Sequence, residues 1–162
     1  MTRGAAELVE PISDGDAAVN AADNKQLMER LFAGVAAGDR KTFLDHIADD
    51  VVMRVTGRYS WSQTITGKEA LFRDFYGHLA SVLADANRRT VGHRFIADGD
   101  QVVVECVGDM RSKAGVPYNN EYCLIYRLRD GKIVEITEYC DSILCERVLG
   151  PFPADKKQAA AG

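Results

Sequence analysis

From about Thr90 to Cys140 the chain alternates apolar and polar residues in four runs, at residues 90–96, 101–110, 121–128 and 133–140. Asp98-Gly99-Asp100 separates the first two, a looser stretch from Ser112 to Pro117 the middle two, and Asp130-Gly131 the last two. Asp-Gly between alternating runs marks a tight hairpin, because glycine accepts the positive φ that a primed turn requires. This half of the chain is therefore predicted to form an antiparallel sheet, and the half before it must cover one face.

That first half has helical spacing. Leu27, Leu31 and Val35 recur every four residues, with Met28 and Phe32 beside them, which predicts a helix over residues 24–37 with Asp23 as N-cap and Gly38 as its stop. Asp39 is placed to cap a short second helix that buries Phe43, Leu44 and Ile47. Val51 to Val55 alternates as a strand, and a loop with Tyr59 and Trp61 follows. Thr66-Gly67-Lys68-Glu69 has the form of a capping box, so a third helix is expected to run to about Ala84. The fold class is α+β: helices first, then a curved sheet. Residues 1–22 and 151–162 lack a sustained period and are expected to be flexible tails around one domain, residues 23–150.

Composition removes several function classes. A net charge of −4 with scattered basic residues gives no footprint for nucleic acid, and no apolar run approaches the roughly 18 residues of a membrane span. The N-terminal stretch carries acids early and has no continuous apolar core, so it is not expected to be a signal peptide, and a cytoplasmic location is expected. Cys106, Cys123, Cys140 and Cys145 show no metal-binding spacing and read as buried free thiols; no metal or other cofactor is expected.

The functional clue lies in the last strand. Glu138 shares a face with Val134, Ile136 and Cys140, whereas Ile133, Glu135, Thr137 and Tyr139 form the more polar face. A carboxylate on the apolar side either finds a hydrogen-bonding partner or holds a proton near neutral pH, as a general acid or base does. Asp141 follows at the strand end, where it is placed equally well to cap a closing helix. His93, expected to share a strand face with Val91 and Phe95, is a further candidate for proton transfer.

The order of elements, with Ala48-Asp49-Asp50-Val51, Thr66-Gly67-Lys68-Glu69-Ala70, Asp130-Gly131-Lys132-Ile133 and Glu138-Tyr139-Cys140-Asp141, resembles the SnoaL-like branch of the NTF2-like superfamily over residues 24–150. The resemblance implies a cone in which a curved mixed or antiparallel sheet wraps around three helices. It also implies an apolar pocket in the cone and a homodimer formed through the outer sheet face. The base of ketosteroid isomerase falls here at Val55 and its oxyanion-hole tyrosine near Leu31. Of the limonene epoxide hydrolase residues, the Arg-x-Asp pair falls at Cys106 and Gly108 and others at Met53 and Val55, leaving only its last acid an equivalent, Glu138. The acid-base aspartate of the polyketide cyclases aligns with Asp141.

Together these readings point to a cofactor-independent acid-base enzyme of isomerase, cyclase, dehydratase or epoxide-hydrolase type. Its catalytic candidates are Glu138, Asp141 and His93. An apolar organic substrate would lie against Met53, Val55, Trp61, Phe72, Val104, Cys106, Leu124 and Ile136. The alternative is a non-catalytic ligand-binding or dimerisation module of the same fold.

Overall fold

Six strands in the order β2-β1-β6-β5-β4-β3 make the single sheet of the computed structural model, which describes residues 14–84 and 88–158, with side chains from Asn20 onward. The strands are β1 (Ile47–Val55), β2 (Gln63–Thr66), β3 (Arg89–Asp98), β4 (Gln101–Asp109), β5 (Glu121–Arg129) and β6 (Lys132–Cys140). Only β1 and β6 pair in parallel. The other neighbours are antiparallel. The β5–β6 hairpin turns as the sequence predicts, with Asp130 at φ 52° and Gly131 at φ 71°. Positive φ at both central positions gives the turn the twist of its strands.

Helix α1 (Asp14–Ala36) begins well before Asn24, so Asp23 lies inside it rather than capping it. Its Met28, Leu31 and Phe32 are buried against the sheet, where Phe32 meets Phe95 and Tyr126 edge-on. Gly92 makes room for this contact: a Cβ there would lie 2.5 Å from the Phe95 ring and 3.1 Å from that of Phe32. Gly38, at φ 96°, ends the helix as expected. Asp39 then caps α2 (Arg40–Asp45) by accepting from the Thr42 amide at 3.1 Å. Ile47 belongs to β1 rather than to that helix.

The capping box does not form. Thr66 ends β2, and its backbone N–H and carbonyl pair with the side chain of Gln158. The helical segment that follows, α3 (residues 68–82), starts after Gly67 without a side-chain cap, and Glu69 points to solvent beside Arg73. A short α-helical start (Lys68–Ala70) gives way to a π-helical stretch (Leu71–Tyr76) and returns to α-helix (Gly77–Val82). In the widened turn the Gly77 amide bonds to the Phe72 carbonyl, which lets both Phe72 and Tyr76 face the space between helix and sheet.

A further helix, α4 (Ser142–Leu149), follows β6 and buries Cys145 and Leu149. The segment after it is docked rather than loose through Gln158, and residues 159–162, like 1–13, lie outside the described residues. Phe152 is buried against Trp61, Phe75 and His78, and its amide donates to Ser60 Oγ at 2.8 Å. Among the described residues no helix is long and apolar enough to cross a membrane.

Candidate functional site

Glu138 lies on β6 between two strands, opposite Leu124 of β5 and beside Val55 of β1. A bulge decides which way it faces. Near the hairpin the register pairs Arg129 with Lys132 and Leu128 with Ile133, but beyond it pairs Arg127 with Glu135. One extra residue on β6 thus brings both Ile133 and the later series Ile136, Glu138 and Cys140 to the inner side. Val134, expected to share the Glu138 face, instead lines a shallow outer depression with Asp50, Val52 and Glu135.

The inner side opens into a cavity of about 730 Å³. Its walls include Phe32, Val35 and Phe43 from the first two helices, Phe72, Phe75, Tyr76 and Leu79 from α3, and Met53, Tyr122, Leu124, Tyr126, Ile136 and Glu138 from the sheet. This volume suits a small organic molecule, and its lining is mostly apolar with a few polar groups converging.

Glu138 is half-buried because it faces this cavity, yet protein surrounds it closely enough that burial alone raises its carboxyl from 4.5 to about 7. Among the described residues nothing hydrogen-bonds to its side-chain oxygens and no cation offsets its charge. Such a group is about half protonated at neutral pH, so it can both give and take a proton. Burial raises the hydroxyls of Tyr76, Tyr122 and Tyr126 and the thiols of Cys106, to about 12, and Cys140, to about 11, and the charge of Glu138 adds to each rise. For all five, burial is the larger cause, and it keeps them neutral hydrogen-bond donors. The Tyr122 hydroxyl donates to Tyr118, whereas those of Tyr76 and Tyr126 have no hydrogen-bond partner among the described residues.

The other two catalytic candidates are elsewhere. The Asp141 carboxylate accepts from the amides of Ile143 at 2.9 Å and Leu144 at 3.0 Å, which makes it the N-cap of α4. Its backbone is fixed by fully buried Asn120, whose side chain bonds to both the N–H and the carbonyl of Asp141 at 3.0 Å and to Tyr118 Oη at 3.1 Å. His93 is the extra residue of a second bulge, between Gly92 and Arg94 on β3, and is exposed with Nε2 4.0 Å from Glu105. That bulge breaks the alternation which placed His93 with Phe95, so His93 faces outward and Phe95 inward.

Of the expected wall residues, Met53, Phe72, Leu124 and Ile136 line the cavity. Val55, Trp61, Val104 and Cys106 belong to the buried core instead. Trp61 donates from Nε1 to the Gly150 carbonyl at 2.9 Å and packs under Phe152. Tyr122 and Tyr126 were not among the expected lining residues, although their two-residue spacing from Leu124 puts all three on one strand face. Among the described residues no group of three or more His, Cys, Asp or Glu side chains is gathered as a metal site.

Residues 28–136 match the SnoaL-like domain family. In structure the chain is similar to an NTF2-like protein from Burkholderia xenovorans, at 22% identity over 80% of this chain and 97% of that one, with a TM-score of 0.60. It is also similar to TerC co-crystallised with polyporic acid, at 24% identity over 78% and 97% of the two chains with a TM-score of 0.63. PrhC from Penicillium brasilianum is 12% identical over 79% and 86%, with a TM-score of 0.66. At these identities the likeness is one of fold. No curated protein matches the chain.

Proposed function

The chain belongs to the SnoaL-like family, and from the cavity this fold encloses we propose that it is an acid-base enzyme acting on an apolar organic molecule without a cofactor. The observation that carries the reading is an unpartnered carboxyl, raised to about 7, on the wall of a cavity large enough for a substrate. Glu138 takes a proton from a carbon or oxygen of the bound molecule and returns it to another atom of that molecule, as in isomerisation or cyclisation, or to a hydroxyl that leaves as water, as in dehydration; in epoxide opening it takes the proton from the attacking water while the ring oxygen gains one. Tyr76 and Tyr126, whose hydroxyls are not engaged elsewhere among the described residues, stabilise the oxygen on which negative charge develops. The crystallisation of one structural relative with polyporic acid supports a small organic ligand for this cavity as well.

Glu138→Gln tests the role, because it keeps the shape and removes the titrating proton. Turnover of a substrate found by native mass spectrometry of the purified protein, or by screening, is expected to fall about a hundred- to ten-thousandfold, the usual weight of general acid-base catalysis. Ligand binding should persist. Equal turnover in the variant and the wild type would rule out proton transfer by this residue.

The second reading is a binding module, and one observation favours it: within the described residues no other acid or histidine lines the cavity beside Glu138 except Asp39, which is engaged as a helix cap. It predicts tight ligand binding and no turnover in either protein. Under both readings the chain pairs with a second copy through the outer sheet face, where Val91, Ile96 and Tyr139 are exposed. Sedimentation of the wild type is expected to give a dimer.

A further inference from the structure

Five charged residues line the cavity: Asp39, Arg40, Lys41, Arg88 and Glu138. The end bearing the first three is open, since Gly38, Asp39 and Lys41 all line it and are exposed. Two of the charges there already have partners. The Asp39 carboxylate accepts from Thr42 N at 3.1 Å and Thr42 Oγ1 at 2.5 Å, and Lys41 pairs with Asp45 one helical turn away. Arg40 is half-buried and, among the described residues, has neither an ion pair nor a side-chain hydrogen bond. Arg88, also half-buried, lines the same cavity.

We propose that the cavity selects molecules with an apolar, ring-sized body and an anionic group, such as a carboxylate or sulfonate, which Arg40 holds at the open end. This rests on the cavity being the ligand site and adds the class of ligand to it. A guanidinium partly withdrawn from water beside apolar walls regains its lost hydration by pairing with a planar or tetrahedral anion, which its forked donors match.

Two fluorescent probes that differ only in the anion make the test. Anilinonaphthalene sulfonate carries the charge, and N-phenylnaphthylamine presents the same rings without it. The wild type is expected to bind the sulfonate about fivefold more tightly than the neutral probe, the effect of one partly exposed charge pair. Arg40→Gln should remove that preference and leave the neutral probe unaffected, while Arg40→Lys should keep part of it. Ala80→Trp, which fills the cavity from α3, should abolish binding of both. A preference unchanged by Arg40→Gln, or equal wild-type affinities for the two probes, overturns the anion site while leaving the cavity as the ligand site. Binding that survives Ala80→Trp, or a wild type that takes up neither probe, overturns the cavity reading and the anion site with it.

Discussion

Glu138 and Asp141 lie three residues apart, at the end of β6 and at the start of α4, and their surroundings give them opposite roles. The Asp141 carboxylate meets two backbone amides of its own helix, and its main chain is held on both sides by Asn120. Its Oδ1 is engaged by the fold, and the residue is exposed to water. The Glu138 carboxylate has the cavity on one side and aromatic rings and thiols around it, with no donor among the described residues. The same functional group is satisfied where the backbone supplies its partners and left without a protein partner, among the described residues, where it faces the cavity. Polar groups buried without partners cost stability, and that cost at a cavity wall is what supports the role proposed for Glu138.

The contrast breaks first on activity, where Glu138→Gln is expected to cost several orders of magnitude in rate and Asp141→Asn, which keeps a good cap, almost nothing. Stability against pH sharpens it next. The folded chain holds the Glu138 proton up to about 7, whereas the unfolded chain releases it near 4.5. Above 4.5 the unfolded state therefore binds fewer protons, so this residue lowers stability as pH rises towards 7, by on the order of 3 kcal/mol. Urea unfolding of the wild type and Glu138→Gln from pH 4 to 8 should show the variant gaining relative stability across that window. Asn120→Ala should cost about 2–3 kcal/mol in the same assay, because it strands the N–H and the carbonyl of Asp141 and removes one donor from Tyr118. Asp141→Ala, which removes only the cap, should cost about 1 kcal/mol.

How much of this was legible in the sequence follows from how local each signal is. The Asp130-Gly131 hairpin, the Gly38 stop and the Asp39 cap are fixed by residues next to one another, and all three are found. The inward side of Glu138 was also readable from alternation, because Ile136, Glu138 and Cys140 lie on one side of the bulge. Val134 and His93 were misplaced because a bulge leaves no local mark; it is chosen by how the whole sheet bends. Thr66 carried a sound capping motif, yet Gln158, far along the chain, pairs with its backbone at the sheet edge. Trp61 was expected at the cavity and instead supports Phe152, since nothing in residues 151–158 signals that they fold back. Contacts between distant segments settled each of these positions, and alternation or capping patterns do not encode them.

The most direct test is an NMR titration of the Glu138 side-chain carboxyl in the folded protein, assigned by the signal that Glu138→Gln removes. A midpoint near 7 is the expected result. A midpoint in the ordinary range of solvated carboxylates, around 4.5, would mean that water or an unrecognised donor already satisfies this group, and the contrast with Asp141 would be gone.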